Sequence, residues 1–318
     1  MPQPTVQQVH VNRPLTNISV AYIQDQNDFI ASKVFPIVPV DKKSDMYFTY
    51  SQNDFMRDEA AKRADGDESV GSGYGLSEQT YNADVWSFHK DVGNQVRENS
   101  DQPLDPDRDA TTYVTRKLLL KQETQFASNY FTTGVWGTDV VGGTASPKWS
   151  DYAGSDPITD IETGKDNVQG VTGYMPNKLV LGYTLFRYLK QHPDIVDRIK
   201  YTSPNVPTEQ ILAQLFGLDE VVVAKAIKAT NNEGETAAYT RVHGNNALLC
   251  YTPAQAGILQ PAAGYIFGWK GISGGMGTNI AISSFYMPWR KSTRVEGESA
   301  FAMQMVGANL GYFFSNYA

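Results

Sequence analysis

The chain has little cysteine: one residue, Cys250, in 318. A lone thiol cannot close an intramolecular disulfide. Its neighbours Ala247-Leu248-Leu249-Cys250-Tyr251 read as a buried strand, so an inert core thiol is expected. No uninterrupted apolar run reaches the roughly 18 residues that a spanning helix needs. The start, Met1-Pro2-Gln3-Pro4-Thr5, lacks the basic segment and apolar core of a signal peptide. Together these absences point to synthesis in a reducing cytoplasm and to no membrane association. Basic clusters are missing as well. Lys42-Lys43 and Arg290-Lys291 are isolated pairs, and 27 Lys and Arg stand against 34 Asp and Glu, for a net charge of −7. Sequence-independent nucleic-acid binding needs clustered cations that displace counterions. The expectation is therefore weak, diffuse attraction to phosphate, with no salt-sensitive duplex binding near physiological ionic strength.

Chemical motifs are equally scarce. The four histidines, His10, His89, His192 and His243, show no ligand spacing, and no H-E-x-x-H, C-x-x-C or phosphate-cradling glycine loop occurs. Gly271-Ile272-Ser273-Gly274-Gly275 fits G-x-S-x-G, but that chemistry needs a later histidine and none follows Ser273, so a glycine-rich loop is expected. Asp105-x-Asp107-x-Asp109 opens like a calcium loop, yet Ala110 and Arg116 stand where the motif needs Gly and Glu. A helix cap is the better reading. Asp65, Asp67 and Glu68 read as a solvated loop. The sequon Asn17-Ile18-Ser19 has no meaning without a secretory route. No catalytic, cofactor-binding or metal residue is assigned, and no cofactor is expected.

What the chain does have is 12% aromatic and only 19% charged residues, enough for a sizeable core. Residues 1–45 read as an extended arm interrupted by Pro2, Pro4, Pro14, Pro36 and Pro39, with room for a short helix only over Asn17 to Ile30. Residues 46–92 read as a long hairpin. Met46 to Tyr50 and Tyr81 to Val92 are its strands, and Arg63 to Gly75, with Gly66, Gly71, Gly73 and Gly75, is its loop tip. A ribbon of two strands is marginal alone in water, so something else must pack on it. Residues 93–177 hold a long helix from about Arg108 to Phe131, opened by Asp105-Pro106 and stopped near Gly134, and then a loop. A 3.6-residue period puts Tyr113, Leu119, Leu120, Phe126, Ala127, Tyr130 and Phe131 on one face; Arg116 and Glu123 intrude there and are expected at its edge or against a neighbouring chain. Residues 178–275 alternate strands with helices: a strand from Asn177 to Gly182, a helix from Thr184 interrupted at His192-Pro193, and a capped helix from Thr208 to Gly217. A strand from Glu220 to Ala229 and a turn at Asn231 to Gly234 follow. Residues 276–318 return to strands.

This order, extended arm, glycine-tipped hairpin, long helix, strand-and-helix domain and returning strands, resembles the major capsid proteins of tailed bacteriophages. The runs Lys178 to Ile195 and Arg294 to Phe301 are similar in character to such coats. The resemblance spans nearly the whole chain. It implies an α+β Hong Kong 97-type capsid fold with N-arm, E-loop, spine helix, A-domain and returning P-domain strands. It further implies a non-enzymatic subunit that assembles in the host bacterial cytoplasm into an icosahedral head around double-stranded DNA. The implied partners are many copies of itself as hexamers and pentamers, with a separate scaffolding protein, portal and decoration proteins. With Met1 present and no charged helical segment before the arm, an uncleaved subunit without fused scaffold is expected. The expected interface residues are Arg63, Asp65, Gly66, Asp67, Glu68, Gly71, Gly73 and Gly75 of the loop, with Arg116 and Glu123 of the helix. An encapsulin-like compartment shell is the alternative of the same fold, and a soluble hydrolase or carbohydrate-binding protein the alternative of another class.

Overall fold

The computed structural model describes residues 24–100, 104–200, 207–253, 260–273 and 280–318. The expected arm helix over Asn17 to Ile30 falls mostly outside them. Two five-stranded sheets carry the fold. The first is built on β13 (Ser292–Met305), the longest strand. β4 (Asp84–Gly93) pairs along one edge of it, while β11 (Gly264–Trp269) and β12 (Ile280–Met287) follow one another along the other. β1 (Ile37–Val40) adds to β11 in parallel. The second sheet runs β5 (Thr138–Val141), β14 (Gly311–Ser315), β10 (Ala247–Cys250), β6 (Lys178–Gly182), β7 (Glu220–Ala224).

Both faces of the second sheet are buried, which is why its strands read as continuous apolar runs. Alternation sorts them. Leu179, Leu181, Val221, Val223, Leu249 and Phe314 face a core closed by helices. Those helices are α5 (Pro157–Thr172), α6 (Tyr183–Gln191), α7 (Pro193–Ile199) and α8 (Glu209–Phe216). Val180, Val222, Leu248, Cys250 and Phe313 face a second core shared with the first sheet, the short helix α1 (Ala31–Val34) and the far end of α4 (Pro106–Tyr130). Cys250 is fully buried, and burial pushes its thiol up to about 12, so it is inert.

α4 forms as its sequence dictates. Asp105 Oδ1 accepts from the amides of Asp107 and Arg108, and Pro106 opens the first turn. The cap reading of this aspartate cluster holds, and Asp107 is further tied to Arg97 at 2.6 Å. At 1.5 Å per residue the 25-residue helix is about 37 Å long. The face it buries matches the expected one at its end, where Phe126, Tyr130 and Phe131 are buried, and differs from it before that, where Leu119 and Leu120 are only partly covered. Ala110, Val114, Leu118, Gln122, Phe126 and Tyr130 are buried, and Tyr113 is 41% exposed. Every fourth residue turns 400°, so this stripe winds 40° per step and has no fixed direction for a periodicity to find. It winds because α4 starts across the first sheet and ends in the core between the two sheets.

Three stretches depart from the sequence reading. Glu220 to Ala229, read as one strand, breaks into β7 and β8 (Ile227–Ala229), which pairs with β9 (Tyr239–Arg241) in a separate ribbon. Residues 134–177, read as loop, contain β5 and the 16-residue α5. Asp156 caps α5, Pro157 begins it and Gly173, at φ +75°, ends it. Gly164 weakens its helical signal, and the packing gives the reason: a Cβ there would meet Leu249, Tyr312 and Phe314 at 3.1–3.4 Å. Tyr81 to Val92, read as one strand, is two. β3 (Leu76–Asn82) closes the hairpin with β2 (Ser44–Tyr50), and β4 leaves to pair with β13.

Candidate assembly surface

The hairpin is rooted in the body and bare along its length. At its base Tyr81 stacks on Phe267 with ring centres 4.6 Å apart, and Tyr47 packs against the same ring at 5.4 Å. Beyond that anchor the alternation that buries Tyr47 turns Met46, Phe48 and Tyr50 outward, and Leu76 joins them; Phe48 is 56% exposed. At the far end Ser51 begins a single helical turn, α2 (Gln52–Met56). Asp54 Oδ2 accepts from the Gly75 amide at 2.7 Å, which pins the loop's return. That bond is the main reason its carboxyl sits below the usual range. Tyr50, Phe55 and Tyr74 cluster with ring centres 5.6–5.8 Å apart, yet all three stay exposed. Gln52 Nε2 donates to the Val171 carbonyl at the end of α5.

The structure brings the expected loop residues Arg63, Asp65, Gly66, Asp67, Glu68, Gly71, Gly73 and Gly75 together on this tip, all exposed. Gly66 sits at φ +86°, in the region that favours glycine. A Cβ on Gly66, Gly71 or Gly73 would meet nothing within 4 Å. Arg116 and Glu123 lie elsewhere, on α4. Arg116 is half-buried, with Nη1 enclosed and unpartnered. Glu123 is wholly enclosed by its own chain and reaches no surface. Its Oε2 accepts from the amides of Ile30 and Ala31, each at 2.9 Å, satisfying the free donors at the start of α1. Its Oε1 lies 3.3 Å from His243 Nε2. Burial pushes Glu123 up to about 7 and His243 down to about 3, so between those values the two stand as a neutral pair, not an ion pair. Sequence distance hid this role: the amides Glu123 serves are 92 and 93 positions away.

One constellation mimics hydrolytic chemistry. Ser155 Oγ lies 3.0 Å from His192 Nε2, and His192 Nδ1 lies 3.5 Å from Asp194. The Ser155 hydroxyl, however, donates to the Asp151 carbonyl at 2.6 Å, so its proton is directed away from His192. His192 is fully buried. Ser273 ends a four-residue helix, α9 (Lys270–Ser273), and the glycines after it lie outside the described residues. Among the described residues no group of three or more His, Cys, Asp and Glu could hold a metal, and no helix is long and apolar enough to cross a membrane.

No family model matches the chain. The major capsid protein of Burkholderia phage BcepMu is 26% identical to it over 319 residues, covering 96% of each. Among solved structures, a phage-related protein from Bordetella bronchiseptica RB50 superposes with a TM-score of 0.70 at 22% identity, over 92% of this chain and 94% of that one. The capsid protein of cyanophage P-SCSP1u gives 0.66 at 11% identity, over 99% and 95%. The architecture is thus the Hong Kong 97-type capsid fold, an α+β shell-subunit fold. Over nearly its whole length the chain is similar to a phage major capsid protein and carries the fold of phage shell subunits.

Proposed function

We propose that copies of this chain join as hexamers and pentamers into the icosahedral head of a tailed phage, enclosing double-stranded DNA, with the tip Arg63 to Gly75 laid over an adjacent copy. A separate scaffolding protein guides the assembly, and portal and decoration proteins complete the head. The observation that carries this reading is the hairpin. It is rigidly anchored at Tyr47 and Tyr81, yet it exposes Met46, Phe48, Tyr50, Phe55, Tyr74 and Leu76 in one region. Large apolar side chains exposed together in this way mark a protein interface. The outward face is apolar along β2, carries Glu78 and Thr80 on β3 opposite Phe48 and Met46, and is charged at the tip, where Arg63, Asp65, Asp67 and Glu68 supply polar contacts for the rim. Deleting Gly66 to Gly75 tests it. The folded core shares no packing with those residues, so the variant stays soluble and cooperatively folded, while regular shells are lost. Normal shells from the deletion, seen by electron microscopy, contradict the proposal.

A further inference from the structure

The charges of α4 and β4 sort by face in a way their sequence order conceals. On β4, Trp86, Phe88 and Lys90 pair in register with Ser299, Gly297 and Val295 of β13. Gly297 lies directly under α4, where a Cβ would meet Val114 and Leu118. Alternation therefore puts Trp86, Phe88 and Lys90 on the side of the sheet that α4 crosses, beside the helix. There Lys121 Nζ sits 4.2 Å from the Trp86 ring centre. Lys90 and Lys117 lie 5.3 and 5.4 Å from the Tyr113 ring centre, and Tyr113 rests 5.7 Å from Phe88. Such contacts fix the ammonium groups over rings without neutralising them. Arg116, next to Lys117 along the helix, is half-buried with Nη1 enclosed, so it adds positive potential behind the lysines but is not counted among their contacts.

The acids of these two elements are engaged elsewhere. Asp107 holds Arg97, Asp109 lies by Arg108, Asp91 binds Arg294 and Arg290, and Glu123 is buried at α1. Only Asp84, at the start of β4, shares the alternation of Lys90. Glu296 and Glu298 alternate with Gly297 and so belong to the opposite face of the sheet. The result is a strip of three lysines, backed by aromatic rings, in a chain of net charge −7.

We propose that this strip contacts the phosphate backbone of duplex DNA, and so turns the α4 side of the subunit toward the enclosed genome. The inference rests on the reading of the chain as a DNA-enclosing shell subunit. The partner follows from the chemistry. Lys90, Lys117 and Lys121 present point charges on a helix row and a strand, not the fork that recognises a particular carboxylate. Lys117 and Lys121 stand one helical turn, about 6 Å, apart. Such a surface suits a regular polyanion read by charge alone. Each contact is weak, and its effect comes from repetition around the shell wall.

The test titrates a labelled duplex with isolated subunit at roughly 20 and 150 mM monovalent salt. Three phosphate contacts predict a log–log slope of about −2.7, an affinity loss of about 200-fold over that range. This makes binding visible at low salt and lost near physiological strength. The variant Lys90→Gln/Lys117→Gln/Lys121→Gln removes all three contacts and leaves a loss of less than about tenfold. Replacing the same lysines with arginine keeps the charge and restores the steep slope, which separates lost charge from a misfolded variant. Equal slopes for wild type and the glutamine variant overturn the proposal. So does a glutamine variant that binds DNA normally but fails to form regular shells, since the strip would then be a contact between copies. Shell formation is scored in the same preparations: a wild type that forms shells but shows no steep slope sinks the DNA contact alone and leaves the capsid reading standing.

Discussion

Glu123 shows how one residue can serve the fold against its own solvation. A carboxyl on an apolar helix face looks like an interface residue, and the sequence reading placed it there. In the fold it closes the start of α1 and faces His243. The pair sets a pH dependence. Burial raises Glu123 from 4.5 to about 7, so between those values the native state holds a proton that the unfolded chain has released. Its contribution to stability is complete below about 4.5 and is lost as pH rises through 7. His243, lowered from 6.5 to about 3, acts oppositely: its contribution is lost as pH falls from 6.5 toward 3. Over the overlap the two trends offset. Glu123→Gln removes the first trend alone, so the stability of the variant relative to wild type rises by on the order of 3 kcal/mol from pH 4.5 to 7. Urea denaturation of both proteins across that range measures it. Parallel pH profiles would show that Glu123 does not titrate as its burial requires.

At the scale of elements, the long helix was legible from its ends, and its face only over the last turn, at Phe126, Tyr130 and Phe131. Asp105-Pro106 marked the start and the run to Tyr130 the length, because caps are local chemistry. The buried face depends on what the helix crosses, and α4 crosses two different surfaces. α5 was missed although Asp156-Pro157 and Gly173 mark both its ends, because its interior is polar and carries Gly164. That glycine is explained only by Leu249, Tyr312 and Phe314, residues far away in sequence. Gly297 is the analogous point on the first sheet. A Cβ there would come within 2.5 Å of Val114 and 2.9 Å of Leu118, so Gly297→Ala forces α4 off β13. The expected cost is about 1–3 kcal/mol, the usual range for overpacking. It is read as a lower denaturation midpoint with unchanged slope. A variant as stable as wild type would mean that α4 sits less closely on the sheet than described.

At the scale of the whole molecule, the order of segments was the readable signal, and the layering was not. β4 leaves the hairpin for the first sheet, β5 and α5 join the second sheet from the segment read as loop, and β14 joins it from the returning tail. Chain order cannot show such exchanges, because partners in a sheet are fixed by long-range pairing. The hairpin tip was legible for a simple reason: its glycines and charges could not build a core, and in the fold they do not. The basic strip was not, since Lys90 and Lys121 become neighbours only when β4 and α4 pack side by side. What the subunit does as a whole is tested most directly by imaging the purified full-length chain by electron microscopy under conditions that favour assembly. Closed shells of uniform diameter with icosahedral symmetry are the predicted result. A 35.2 kDa particle that stays monomeric and well folded under all such conditions, with or without a scaffolding protein, would contradict the account.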